Sequence, residues 1–305
     1  MVTPVSKIWM NGKMVDWNDA QVHVLTHTLH YGLGVFEGIR FYETPEGPGI
    51  FRLADHVKRL YDSSHICRID VPYDWDTLWE AHLDVVRVNG LKSGYIRPVV
   101  YIKDGPMGLL VTEDNPVGVF IATWAWGAYL GEDGLKNGIR TKIASFARHH
   151  VNASMSKAKV NGAYVNSILA KREACQAGYD ETIMLDTSGY VSEGSGENLF
   201  IVRDGVIKTT SLTSILNGIT RDSVMTLAGE LGYEVVEDRF TRDELYISNE
   251  AFFTGTAAEV TPIREVDDRI IGEGKPGPVT KKIQEAYFKA VHGEDPNHRD
   301  WITVV

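Results

Sequence analysis

The stretch Val191-Ser192-Glu193-Gly194-Ser195-Gly196-Glu197-Asn198-Leu199-Phe200 wraps two glycines and a serine around Glu193. Glycine reaches backbone angles closed to other residues, so this composition predicts a tight turn. Runs at Thr182–Asp186 and Leu199–Arg203 flank it and read as strands. A glutamate on such a loop is ordinarily solvated. Buried beside a ring nitrogen, it would instead keep that nitrogen protonated and let the ring take up electrons.

Downstream, Leu216-Asn217-Gly218-Ile219-Thr220-Arg221 opens a helix expected from Ile219 to Leu231, with Gly232 as its stop. Unpaired amides and the helix dipole make such a start an anion site, and the Thr220 hydroxyl adds a donor. Thr254-Gly255-Thr256-Ala257-Ala258 offers a second amide-rich turn. Upstream, Lys157 and Lys159 precede a helix expected from about Asn161 to Gln176, whose apolar face is Val165, Ile168, Leu169 and Cys175. A lysine at that junction is either a solvated charge or an amine able to form a Schiff base with an aldehyde. Tyr164 lies near the same helix start, where its phenol could reach a ligand oxygen or satisfy a backbone carbonyl. A lysine, a carboxylate and two anion-binding turns together suggest a phosphorylated, nitrogen-ring aldehyde. Pyridoxal phosphate fits that description.

The remaining chain mixes strands and helices without a regular βαβ rhythm, which argues against a TIM barrel or a Rossmann sheet. Asn11-Gly12 predicts a hairpin. Leu53, Val57 and Leu60 mark one amphipathic helix, with Lys58 and Arg59 beside its stripe, and Asp76–Val88 marks another, closed by Asn89-Gly90. Tyr95 to Ile102 alternates as a strand with Tyr95, Arg97, Val99 and Tyr101 on one face. Val117–Trp126 and Ile139–Phe146 read as further strands, and Pro278–His292 as a last helix. Between the two halves, residues 127–134 carry three glycines and read as an interdomain linker. The expected division is a small domain over residues 1–126 and a larger one over 135–305.

Composition narrows the function classes. With 305 residues, 43% hydrophobic and 24% charged, the chain has globular composition and length for two domains. Its 31 basic and 41 acidic side chains leave a net charge of −10, which disfavours nucleic acid and anionic membrane as partners. Cys67 and Cys175 read as buried reduced thiols. No histidine, cysteine and carboxylate spacing suits a metal, and there is neither a Gly-x-Gly-x-x-Gly, a Walker loop nor a Gly-x-Ser-x-Gly elbow. No apolar run approaches a membrane span and residues 1–10 lack a leader's apolar core, so a cytoplasmic protein is expected.

The run Glu193-x-Ser195-x-x-Asn198-Leu199-Phe200, then Ile207-x-Thr209 and Leu216-x-Gly218-Ile219-x-Arg221, resembles the class IV aminotransferase signature. Within that family it is most similar to the branched-chain amino acid type. His30-Tyr31-Gly32, Phe36 to Arg40, Tyr95-Ile96-Arg97-Pro98, Gly127 to Leu130 and Thr254 to Ile263 extend the likeness along nearly the whole chain. The resemblance implies a two-domain α+β architecture of pyridoxal-phosphate fold type IV, the D-amino acid aminotransferase-like fold. It has a small N-terminal α/β domain and a larger C-terminal pseudo-barrel that carries the cofactor lysine.

By resemblance, Lys159 is the Schiff-base lysine, Glu193 the partner of the ring nitrogen and Tyr164 the phenol beside the ring hydroxyl. Arg59, the Gly218–Thr220 helix start with its Ile219 and Thr220 amides, and Thr256 match the phosphate ligands. Phe36, Gly38, Trp126, Tyr129 and Tyr164 match the apolar wall around the substrate side chain. Tyr95 and the Thr256–Ala257 amides match the α-carboxylate holders, and Arg97 the group that receives the second carboxylate of glutamate. Tyr31 and Leu109 match residues lent by a neighbouring subunit, which implies a homo-oligomer, at least a dimer. The implied reaction is transamination of leucine, isoleucine or valine with 2-oxoglutarate, all small-molecule substrates. An aliphatic wall favours the branched chains by about 0.8 kcal/mol per buried methylene, whereas a bare γ-carboxylate there needs a cation such as Arg97. A D-amino acid aminotransferase, a lyase on the same scaffold and a catalytically silent binding protein are the competing expectations. Intact Lys159, Tyr164, Glu193 and Arg59 argue against the last.

Overall fold

In the computed structural model, which describes residues 2–305, the chain divides into two compact units. The first comprises residues 2–127, 158–163 and 290–305, and the second residues 128–157 and 164–289.

The first unit is built on an eight-stranded sheet. Its path runs Ile302–Val304, Gly47–Phe51, Ile39–Thr44, Gly94–Ile102, Val117–Trp124, Lys7–Met10, Lys13–Asp16, with Gly34–Phe36 also paired to Gly94–Ile102. All of these pairings are antiparallel. The Asn11-Gly12 hairpin forms as expected, both residues having positive φ. Two helices cover the core. Leu53–Ile66 buries Leu53, Val57 and Leu60 at the spacing read from the sequence. Trp75–Asn89 starts with the Asp74 carboxylate accepting from Thr77 N at 2.9 Å and ends on left-handed Gly90. Their apolar faces meet Ile39, Phe41, Ile50, Ile96 and Ile121 of the sheet in one core cluster.

The second unit carries a nine-stranded sheet. Its order is Val191–Gly194, Glu181–Leu185, Ile139–Ile143, Glu259–Val266, Glu250–Gly255, Asn198–Arg203, Val206–Thr209, Val235–Glu237, with Arg269–Ile270 paired to Glu259–Val266. Antiparallel and parallel pairs mix, and Ile139–Ile143 runs parallel to both its neighbours. Leu199, Ile201, Phe253 and Ile263 lie in its core. Helices Tyr164–Gln176 and Ile219–Glu230 belong to this unit, as does most of Pro278–Val291.

Several expectations need correction. The Lys159 segment belongs to the first unit, because residues 158–163 hydrogen-bond to the backbone of residues 32–36. Phe36 N donates to Lys159 O at 3.0 Å, Asn161 N to Gly34 O at 2.9 Å and Gly162 N to Gly32 O at 3.0 Å. Residues 290–305 join that unit too, since Ile302–Val304 completes its sheet. The glycine-rich 127–134 stretch is not wholly linker: the chain passes between units at Gly127–Ala128 and then forms the helix Glu132–Asn137. The helix expected from Asn161 starts at Tyr164, and its buried side is Ser167, Ala170 and Ala174. Val165, Ile168 and Leu169 face outward instead. Cys67 is half-buried and Cys175 exposed, both free thiols, so neither is a core cysteine.

Candidate active site

Glu37 organises the first unit's share of the expected residues. It lies fully buried between Phe36 and Gly38, with its N–H donating to Pro98 O at 3.0 Å. Arg59 grips it with two hydrogen bonds, Nε to Oε1 at 2.6 Å and Nη2 to Oε2 at 2.8 Å. His56 Nδ1 lies 2.7 Å from Oε2. Burial raises the Glu37 carboxyl, but Arg59 and His56 outweigh it and hold the group well below the usual carboxylate range. Burial likewise lowers His56, against the pull of Glu37. Arg59 is therefore an oriented guanidinium, whereas its neighbour Lys58 points outward to Asp62.

Phe36, Arg97, Tyr95 and Lys159 cluster next to it. The Phe36 ring has Lys159 Nζ 4.9 Å and Arg97 Cζ 4.7 Å from its centroid. Arg97 Nη2 lies 3.4 Å from the Tyr95 hydroxyl, as the shared strand face required. The Tyr95 ring meets Trp126 edge-on at 4.5 Å. Gly38 is the one residue that fits against this ring: an added Cβ would fall 1.8 Å from the Tyr95 hydroxyl. Among the described residues no carboxylate pairs with Arg97, and its buried Nε has no hydrogen-bond partner. A guanidinium in aromatic surroundings without an anion is costly, so this arrangement is poised for an anionic ligand.

Tyr31 and Leu109 lie near each other. His27 ties them: its ring lies 4.6 Å from that of Tyr31, and its Nε2 is 2.7 Å from Gly108 O. Tyr31 is 45% and Leu109 88% exposed.

Glu193 centres the second unit's share. It is buried on the strand Val191–Gly194, and the turn expected around it follows that strand. Asn198 Nδ2 and Leu216 N approach Oε2 at 3.4 and 3.3 Å. Arg148 Nε pairs with Oε1 at 2.7 Å, but the approach is not aligned for a hydrogen bond and Oε1 has none. Asn198 also donates to Leu216 O at 3.0 Å, fixing the loop that leads to Gly218. Gly218 starts the helix Ile219–Glu230 without a side-chain cap, and Ile219 and Thr220 are buried at its first turn. Thr256 and Ala257 form the turn between paired strands Glu250–Gly255 and Glu259–Val266. Tyr164 opens its helix half-buried. Tyr129 is held by Lys171.

The two candidate lysines differ in setting. Lys157 Nζ is engaged by the carbonyls of Leu212 and, at 3.0 Å, Ile215, so it clamps the loop before Gly218. Lys159 presents its amine to Phe36, with its N–H anchored on Ser63 Oγ at 3.0 Å. Sequence reasoning missed Glu37, His56, Arg148, Lys171 and Glu181. Only Glu37 left a signal, a charge embedded in the apolar run Val35–Ile39; the others are ordinary surface types until folding buries them.

The residues present fit pyridoxal phosphate. Glu193 Oε1 is a buried carboxylate oxygen, ion-paired with Arg148 but accepting no hydrogen bond, and a protonated ring nitrogen would supply one. The uncapped helix start supplies amides for a phosphate. Lys159 supplies the amine.

The family model described as "Amino-transferase class IV" matches residues 34–266. The chain is 57% identical to a branched-chain-amino-acid aminotransferase of Pseudomonas aeruginosa, over 98% of this chain and 97% of the relative. It is 48% identical to one of Escherichia coli, over 98% and 97% of the two chains. The crystal structure of a T.th. branched-chain amino acid aminotransferase with pyridoxamine 5'-phosphate superposes with a TM-score of 0.97, at 50% identity, covering 100% of this chain and 99% of that one. Two large sheets, a buried carboxylate oxygen that accepts no hydrogen bond and relatives that match along almost the whole chain leave one conclusion: the chain belongs to the class IV aminotransferase family, with the fold of pyridoxal-phosphate type IV.

Proposed function

We propose that this chain is a branched-chain-amino-acid aminotransferase, which moves the amino group of leucine, isoleucine or valine to 2-oxoglutarate. The relatives' names and the solved homologues bound to pyridoxamine phosphate or phosphopyridoxyl-glutamate support this. The observation that carries the substrate side is Arg97, a guanidinium without a carboxylate partner on an aromatic wall. That wall accepts an aliphatic side chain, and the cation accepts the γ-carboxylate of glutamate in its place.

Pyridoxal phosphate, when bound, supplies the aldehyde that takes up the amino group and the ring that absorbs the electrons left at the substrate α-carbon. Lys159 Nζ holds that aldehyde and afterwards carries the proton away from the α-carbon. Glu193 Oε1 accepts the ring nitrogen's hydrogen bond and keeps its proton in place. Arg59, Ile219, Thr220 and Thr256 hold the phosphate, and Tyr164 donates beside the ring hydroxyl. Tyr95 and the Thr256–Ala257 amides orient the α-carboxylate.

We read the active form as a homo-oligomer, at least a dimer, in which Tyr31 and Leu109 complete a neighbour's site. Their exposure supports this, and so does the outward apolar stripe Val165, Ile168 and Leu169. A reducing, cytoplasmic setting suits the exposed free thiol of Cys175. No helix among the described residues is long and apolar enough to cross a membrane.

The test is a half-reaction panel on purified holoenzyme with L-leucine, L-valine, L-glutamate and D-alanine, following the cofactor absorbance. Leucine, valine and glutamate should each convert the yellow form, and D-alanine should not. Lys159→Ala should abolish the borohydride-reducible chromophore while Lys157→Ala retains it; the reverse pattern overturns the assignment.

A further inference from the structure

Tyr129 sits in a short segment between Gly127 and the helix Glu132–Asn137, where it is 37% exposed. Core packing therefore holds it only in part. A charged cluster of the second unit also reaches it. Lys171, halfway along Tyr164–Gln176, points its ammonium at the Tyr129 hydroxyl, 3.1 Å away and 4.6 Å from the ring centroid. The same ammonium pairs with Glu181 Oε2 on the strand that follows the helix. Glu181 is fully buried and its other oxygen accepts from Thr182 N at 2.8 Å.

This geometry locks Lys171. A fully buried carboxylate deprived of its cation is strongly destabilising, so Glu181 keeps the ammonium in place and removes the freedom of a long side chain. Burial alone would lower the Lys171 ammonium, but Glu181 overrides it and raises the group, so the charge persists. A remaining ammonium hydrogen and the charge itself then act on Tyr129, through the hydroxyl and through the face of the ring.

We propose that Lys171, held by Glu181, is a positioning residue for substrate selection: it fixes the Tyr129 ring where that ring bounds the substrate side chain. The proposal rests on the reading, given above, that Tyr129 lines the side-chain wall. Lys171 touches neither substrate nor cofactor; it acts through Tyr129. A loosened ring enlarges the space beside an aliphatic chain and relaxes discrimination against a bulkier one.

The experiment compares kcat/KM for L-leucine and L-phenylalanine in four holoenzymes. They are the parent, Lys171→Met with Glu181→Gln, Tyr129→Ala, and the three substitutions combined. Changing both members of the ion pair leaves no lone buried charge and protects folding. The leucine-to-phenylalanine ratio should fall about tenfold in the pair variant, within the range over which apolar pockets discriminate, with the change carried by KM. In the combined variant it should equal the Tyr129→Ala value, because without the ring Lys171 has nothing to position. In a fifth holoenzyme, Lys171→Arg alone should keep most of the parent ratio. An unchanged ratio in the pair variant, or an equal further fall in the Tyr129→Ala background, overturns the proposal and leaves Lys171 as a neutraliser of Glu181. If Tyr129→Ala itself leaves the ratio unchanged, the wall reading has failed and the proposal falls with it.

Discussion

Arg97 and Glu197 show how one residue's surroundings decide its chemistry. Arg97 has rings on two sides and no carboxylate partner among the described residues, and on the proposed reading a substrate carboxylate would compensate its charge. Arg97→Ala should therefore cut the glutamate half-reaction by at least about a hundredfold, the few kcal/mol of a desolvated charge pair, and the leucine half-reaction far less. Stopped-flow absorbance with each amino acid reads both; equal losses would remove Arg97 from the glutamate role. Glu197 is a buried carboxyl whose Oε2 accepts from Gly196 N at 2.9 Å. Burial first, then the Glu181 and Glu193 carboxylates, push it up to about 8, against Lys171 and that amide. The unfolded chain loses this proton near 4.5, so between 4.5 and about 8 the folded state holds more protons and stability falls as pH rises. Glu197→Gln keeps an acceptor for Gly196 and removes the titration. Its urea midpoint should stay level across that window relative to the parent's decline, and parallel curves would refute the buried neutral acid.

At the scale of elements, the loop from Leu216 to Gly218 and the strand that begins at Asn198 form one device. Asn198 reaches Glu193 and Leu216 with its amide nitrogen, and its Oδ1 occupies the space beside Gly218. A Cβ on Gly218 would fall 2.0 Å from that oxygen, so Gly218→Ala must displace Asn198 and, through it, both Glu193 and the helix start. Overpacking of this kind costs about 1–3 kcal/mol, and here the cost falls on the residues proposed to hold the cofactor. The expected result is a weaker dissociation constant for pyridoxal phosphate in reconstitution of the apoenzyme, with the apoenzyme's thermal midpoint shifted by only a few degrees. Unchanged cofactor affinity would show that Asn198 relaxes harmlessly. The helix start is legible in the sequence because Gly218 and Thr220 carry local signals, as are Leu53–Ile66 and Trp75–Asn89 through their apolar spacing. Short strands such as Gly34–Phe36 and Glu250–Gly255 are not, since their definition comes from partners distant in sequence. The same holds for the grip of Glu37 on Arg59 across 22 positions and of Arg148 on Glu193. The Tyr164–Gln176 helix misleads for a physical reason: its apolar stripe suggests a core-facing side, but the small residues Ala170 and Ala174 face the core instead.

At the scale of the whole molecule, the outward stripe Val165, Ile168 and Leu169 and the exposed Leu109 are apolar surface that the proposed homo-oligomer would cover. A second copy covers such surfaces at least cost, because a two-fold contact uses each patch twice. If Leu109 serves the partner's site, damage to it and damage to Lys159 fall on different active sites of one dimer. Leu109→Asp and Lys159→Ala are each expected to be nearly inactive alone. Unfolded together and refolded with pyridoxal phosphate, half of the dimers pair the two variants, and each such dimer regains one intact site. Activity should recover to about a quarter of the parent's, from random two-fold pairing. Native mass spectrometry verifies that mixed dimers have formed. Mixed dimers without recovered turnover would mean that Leu109 acts within its own subunit, and then the oligomer would be a matter of covering apolar surface rather than of completing the site.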